Sequence, residues 1–253
     1  REGQIQIVQN FISRQVDAIV LAPLDSVALA RPVEAAVAQG IPVVIIDSGL
    51  ESDAQSSFVA TDNKMGGRMG AKRLGEIMGG KGKALMMRYM SGSASTTNRE
   101  EGFLAEMKEN YPDIELVSTD QHAGATKESA FKTAQNLLNK YPDVEGIFCP
   151  NESSAFGMLR GLETKGMGGK VKYVGFDASK ALVQGLRDGV IQGLVAQDPF
   201  TMGYQGVKTA VDVVDGKDVK ERIRTSTVVV TPENVDDPDI QKIINPPIDR
   251  WLE

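Results

Sequence analysis

The sequence predicts an α/β protein built as two doubly wound, parallel-sheet lobes, and three observations predict it. Between Gly146 and Asp198 lie three short apolar runs, GIFC, VKYVG and GLVA, which end in Pro150-Asn151, Phe176-Asp177 and Gln197-Asp198. Each run is rich in β-branched or aromatic residues and leads into a helix-like segment, the pattern of parallel strands in βαβ units. The same alternation, in units of about 30 residues, forms two groups before and after about residue 62. In open α/β sheets ligands bind at the carboxyl edge, because helix N-termini and loop backbone groups point there. Asn151, Asp177 and Gln197 therefore read as one binding surface.

The elements follow in order. Residues 2–14 carry Ile5, Val8, Phe11 and Ile12 at helical spacing, and Val16 to Leu21 reads as a fully buried strand. Asp25-Ser26 is expected to cap a helical region interrupted by Pro32 and stopped by Gly40. The strand IPVVII then delivers Asp47 to the edge. Phe58 to Ala60 is the next strand, and Asp62-Asn63 starts a helix carrying Met65, Met69 and Leu74. Lys83 to Tyr89 is a strand that runs into a Ser/Thr-rich loop, and a helix from near Asn98 places Arg99 in its first turn, facing the strand edge. Ile114 to Val117 is a strand and Ala125 to Lys140 a helix. The three strands described above follow, then a helix from Tyr204 to Val214, a last strand from Ser226 to Val230, and a proline-rich tail in which Trp251 serves as an anchor.

The bulk properties narrow the function. The 253 residues are 41% apolar and 25% charged, as in an ordinary globular protein. A net charge of −6, with Lys and Arg scattered, disfavours nucleic acid as a partner. No apolar run approaches the roughly 18 residues that a membrane span needs. The lone Cys149 lies inside an apolar strand, as inert packing does. With one His and one Cys, the usual zinc set cannot be assembled, and His122 has no G-x-S-x-G serine to serve. Gly79-Gly80-Lys81-Gly82-Lys83 lacks the spacing of a phosphate-binding loop. No cofactor or metal is expected, and catalysis is not.

Taken together, IPVVIIDSGL, FVATDN, NREEGF, IFCPNESSAFGMLRGLE, VKYVGFDAS and GLVAQDPFTMGYQGV resemble the type I periplasmic sugar-binding proteins, the ribose-binding-protein-like solute-binding proteins of ABC transporters. The resemblance covers almost the whole chain. It implies two Rossmann-like lobes joined by three crossovers, residues 1–61 with 198–226 and residues 62–197 with 227–253. It implies a cleft that closes on a monosaccharide or related polyol by bending near Thr61-Asp62, Gln197-Asp198 and Ser226. It further implies a monomer that docks on a membrane permease, in the periplasm or lipid-anchored outside the cytoplasm. The family's ligand contacts fall on Asp47, Arg99, Asn151, Asp177 and Gln197, with Phe176 as an apolar wall. These types suit a ring of hydroxyls: carboxylates accept, the arginine fork donates, and the amides do both.

Three departures accompany the resemblance. Arg1 opens inside a helical pattern with no signal peptide and no preceding strand, so the family's first strand, first helix and second strand are expected before it, with the aromatics that cover the sugar from that side. Ala22 stands where ribose-binding members place asparagine, and Ser48 where many carry arginine. Residues 120–126 leave only His122 as a contact where the family often has an aromatic. Two other readings share some of these features: the effector domain of a LacI-type transcription regulator, and a sugar-modifying enzyme using Asp47 and Asp177 as paired carboxylates.

Overall fold

A computed structural model describes residues 1–248. The chain begins with α1 (Glu2–Ser13), β1 (Ile19–Leu21), α2 (Ala30–Ala38), β2 (Val43–Ile46), β3 (Ser57–Thr61) and α3 (Asn63–Ile77). It continues through β4 (Gly82–Met86), α4 (Ala94–Asn110), β5 (Ile114–Ser118), α5 (Lys127–Lys140), β6 (Gly146–Phe148) and α6 (Glu152–Thr164). The remainder is β7 (Lys172–Phe176), α7 (Lys180–Arg187), β8 (Gly193–Gln197), α8 (Pro199–Val214), β9 (Arg222–Thr225), β10 (Thr227–Val230) and α9 (Pro238–Ile244).

Two compact units result. The first takes Arg1–Asp62, Ser91–Thr97 and Asp198–Ser226, and the second takes Asn63–Met90, Asn98–Gln197 and the chain from Thr227 onward. In the first, the sheet order is β1-β2-β3-β9, all parallel. Along β2 the side chains alternate as a strand requires: Val43 and Ile45 join the core with Val8, Leu29 and Val33, while Val44 joins Met202 and Ala210 of α8 on the other face. In the second, the order is β10-β8-β7-β6-β4-β5, parallel except for β10 against β8. Ile147, Tyr173 and Leu194 point toward α5, α6 and α7, while Phe148, Val174 and Val195 point toward α3 and α4. Both sheets are thus covered on both faces, and every carboxyl strand end of a sheet's parallel set lies on one edge.

Residues 91–97 group with the first unit, although the sequence reading ran the second lobe unbroken over 62–197. The hydrogen bonds explain this: Ser26 N–H donates to the Gly92 carbonyl at 2.9 Å, Ser95 N–H donates to Ser48 Oγ at 3.1 Å, and Arg1 donates to the Ser91 carbonyl at 3.0 Å.

Several expected boundaries need correction. Helix α4 begins at Ala94, not near Asn98, so Arg99 is in its second turn. The hydroxyl-rich stretch reads as loop, yet Ser48 Oγ and the Ser93 carbonyl satisfy groups of the first turn. Pro32 does not interrupt α2. It sits in the first turn, where its missing N–H has no intrahelical acceptor to lose. Asp25 Oδ1 instead organises the turn before α2, accepting from the Val27 and Ala28 N–H groups. The expected strand from Ser226 is antiparallel β10 in the second unit, and it is preceded by a strand that was not expected, parallel β9 in the first unit. Arg222 and Arg224 on β9 are exposed, and those charges mask an edge strand. The tail carries α9, capped by Asp237 with Pro238 next to it. Trp251 lies outside the described residues.

Candidate functional site

In the second unit, β6, β7 and β8 place Asn151, Asp177 and Gln197 at neighbouring strand ends. Asp177 follows the last residue of β7 and holds a left-handed backbone, φ 71°. Its N–H still reaches the neighbouring strand, donating to the Val195 carbonyl at 2.8 Å. Its carboxylate accepts from Gln197 Nε2 at 2.7 Å on one oxygen and from the Glu152 N–H at 2.9 Å on the other. Glu152 opens α6, so the carboxylate also faces the positive end of that helix. Asn151 is the α6 N-cap: its Oδ1 accepts from Ser154 Oγ at 2.6 Å, and its Nδ2 donates to Ser153 Oγ at 3.1 Å. Capping thus occupies part of the Asn151 side chain.

Arg99, 2% exposed, is clamped beside them. Its Nε donates to Asn63 Oδ1 at 2.8 Å and its Nη1 to the Pro150 carbonyl at 3.0 Å, while the guanidinium lies 3.9 Å above the centre of the Phe176 ring. Such a stack on a desolvated ring contributes about 1–2 kcal/mol. Phe176 is fully buried, in the core cluster with Val174 and Val195. Its expected place as an apolar wall becomes that of a platform beneath Arg99, because the ring ends a buried strand and the guanidinium covers its face. Next along α4, buried Glu100 accepts from Arg88 Nη1 at 2.9 Å and from the Tyr89 N–H at 3.1 Å. Burial pushes its carboxyl above the usual range, and these two donors pull it back.

The first unit repeats the aspartate arrangement. Asp47 follows the last residue of β2 with φ 62°, and its N–H donates to the Val59 carbonyl of β3 at 3.0 Å. Ile46 pairs with Val59 as Phe176 pairs with Val195, so the two aspartates occupy the same position of the same motif in their own sheets. A non-glycine residue at positive φ is uncommon, and aspartate is among the few that tolerate it. Such backbone is characteristic of binding and catalytic sites. Ser48 is buried and engaged with Ser95, and His122 is exposed, with its carbonyl accepting from Thr133 Oγ1.

Asn63, 6% exposed, escaped the sequence reading as a site residue because Asp62-Asn63 reads as a helix start. The signal was available: it lies two residues past the end of strand β3, at the first position of α3. An open cavity of about 500 Å³, lined in part by Asp17, Gly40, Pro42 and Val213, lies at the opposite, amino-terminal end of the first sheet. Among the described residues, no group of three His, Cys, Asp or Glu side chains could hold a metal ion, and no helix is long and apolar enough to cross a membrane.

Residues 1–218 match the family described as periplasmic binding protein domain. The ribose import binding protein RbsB of Bacillus subtilis is 32% identical over 221 residues, covering 87% of this chain and 70% of that protein. Among solved structures, a carbohydrate transporter solute-binding protein from Agrobacterium radiobacter in complex with D-arabinose superposes with a TM-score of 0.93 at 34% identity, covering 96% of this chain and 84% of that one. An ABC transporter solute-binding protein from Agrobacterium vitis with bound D-fucose gives 0.92 at 35% identity, with the same coverage.

Proposed function

Because this chain belongs to the periplasmic binding protein domain family, we propose that it is an extracytoplasmic solute-binding protein that captures a monosaccharide or related polyol for an ABC transporter. It binds its ligand without transforming it, acts as a monomer, and hands the ligand to a membrane permease. The named relatives are import and solute-binding proteins, which favours this reading over a regulator's effector domain.

The observation that carries the proposal is the left-handed aspartate at a strand end, present once in each unit. Asp177 and Asp47 supply acceptors to sugar hydroxyls, Gln197 and Asn151 supply both kinds of partner, and Arg99, held by Asn63, Pro150 and Phe176, donates. Phe176 contributes through Arg99 rather than by stacking on the sugar. The charged donors and acceptors are pre-oriented by protein hydrogen bonds, so a sugar that matches them adds bonds at little ordering cost. An epimer that leaves one buried group unpaired loses about 1–3 kcal/mol, roughly tenfold or more in affinity.

A thermal-shift panel of pentoses, hexoses, their alcohols, nucleosides and amino acids tests this. At about a hundred times its Kd a ligand adds roughly 2.7 kcal/mol, several degrees for a chain of this size. A selective shift with one sugar or polyol is expected. A shift only with amino acids or nucleosides would overturn the assignment.

A further inference from the structure

Helix α3 is unusually bare on its inner side, with Gly67 against α4 and Gly66 and Gly70 against rings of the sheet. A Cβ at Gly67 would stand 1.9 Å from the Arg99 carbonyl oxygen, and a Cβ at Gly102 would stand 2.0 Å from the Lys64 carbonyl oxygen. The contact is reciprocal: Arg99 lies three residues before Gly102, and Lys64 three before Gly67. Each glycine therefore receives the carbonyl one turn ahead of the other helix's glycine. Backbone atoms have no rotamers by which to move aside, so only glycine fits at either place. At Gly66 a Cβ would stand 3.0 Å from the Phe176 ring, the platform under the Arg99 guanidinium. At Gly70 it would stand 2.5 Å from Phe148, whose ring stacks on Phe103 of α4 at a centroid separation of 4.4 Å. Glycine is among the poorest helix formers, and a local choice that opposes the local structure marks a position where something else is being satisfied.

We propose that this glycine-lined crossing, together with Asn63, is a positioning device for Arg99. Gly67 and Gly102 fix the height of the Arg99 backbone against α3, Gly66 admits the ring on which the guanidinium rests, and Asn63 at the start of α3 sets the direction of Nε. A contact between two backbones holds a side chain's origin more rigidly than side-chain packing does, and a binding group gains affinity from being held in its productive geometry. The inference rests on the reading of Arg99 as a sugar contact and adds the residues that make it one.

The test uses the intact chain carrying Asn63→Ala, Asn63→Asp, Gly67→Ala or Gly102→Ala, each also in an Arg99→Ala background, with calorimetric titration of the sugar found in the panel. Asn63→Ala is expected to weaken binding at least fivefold with Arg99 present and less than twofold without it, whereas Asn63→Asp, which keeps the acceptor, retains most of the affinity. Equal losses in both backgrounds would overturn the proposal, since a merely structural role does not depend on Arg99. The glycine variants are expected to behave like Asn63→Ala; should they fail to fold, the Asn63 pair still decides. A readout independent of any sugar is the Arg99 Nε–H resonance, assigned by its loss in Arg99→Ala. Its exchange with water is expected to be slow and to speed up at least tenfold in Asn63→Ala and Gly102→Ala. Unchanged exchange would overturn the device even if the protein binds sugar, and accelerated exchange in a protein that binds no sugar would instead sink the functional reading on which it rests.

Discussion

Replacing Asp177 by glycine and by alanine separates its two roles, as a residue in a left-handed backbone and as a carboxylate. Both substitutions remove the acceptors for Gln197 Nε2 and for the Glu152 N–H. The site is part exposed, so each lost bond is worth about 1 kcal/mol. Alanine keeps the strain that Asp177 already bears at φ near 71°, about 1–2 kcal/mol for an L-residue with a Cβ. Glycine holds it freely but loses about 0.5–1 kcal/mol to its looser unfolded chain. Asp177→Ala should therefore destabilise by about 2 kcal/mol and Asp177→Gly by about 1. The glycine variant comes out the more stable by about 1 kcal/mol, or roughly 2–4 °C, an inversion of the order found at ordinary helix and strand positions. Sugar affinity should fall roughly ten- to hundredfold in both, the value of a charge-assisted bond to a desolvated hydroxyl. Scanning calorimetry gives the first quantity and titration the second. An alanine variant as stable as the glycine variant would refute the backbone argument, and unchanged affinity in both would refute Asp177 as a contact.

Three further outcomes follow from the same structure. Arg99→Lys should weaken sugar binding at least tenfold and lower stability by about 2 kcal/mol, because an ammonium cannot reach Asn63 Oδ1 and the Pro150 carbonyl together while lying flat on Phe176; retained affinity in a titration would contradict this. Burial raises the Glu100 carboxyl above its ordinary 4.5, so the folded chain binds that proton more tightly than the unfolded chain does, and stability drops as pH rises from about that value. Relative to Glu100→Gln, the parent protein should lose stability as the pH is raised above about 4.5 in urea titrations, and a relative gain would reverse the sign of the argument. Burial also pushes the Cys149 thiol up to about 12, leaving on the order of one thiolate in ten thousand at about pH 8. Ellman's reagent should label Cys149 in denaturant and not in the native protein, and rapid native labelling would show that the end of β6 opens.

The legibility of the site divides along the same physical line as that of the fold. Asp47 in one sheet, and Asn151, Asp177 and Gln197 in the other, could be picked out because each follows or ends a continuous apolar run, and within one parallel sheet such ends share an edge. Their backbone could not be read: left-handed φ at Asp47 and Asp177 arises where the N–H turns back to Val59 or Val195 on the neighbouring strand. Arg99 was visible, but its clamp joins it to Asn63 and Pro150, 36 and 51 residues away, so neither partner lies within any local window. Phe176 reads as an apolar wall because a strand-end aromatic suits a sugar face, and the guanidinium stacked on its ring lies too far off in sequence to be foreseen. Strand β9 was hidden because RIRT exposes its arginines, and α9 because two prolines near Ile248 and one at its own first turn read as tail.

The central claim is that a neutral polyhydroxylated ligand is held by fixed charges and amides rather than by charge pairing with the ligand. Calorimetric titration of the sugar panel into the intact protein, at roughly 20 mM and 500 mM salt, tests it most directly, because high salt screens attraction between net charges and leaves a neutral partner almost untouched. The account predicts one-to-one binding of a pentose, hexose or polyol with a Kd that changes less than about twofold between the two conditions. Heat only from charged ligands, weakening steeply with salt, would contradict it.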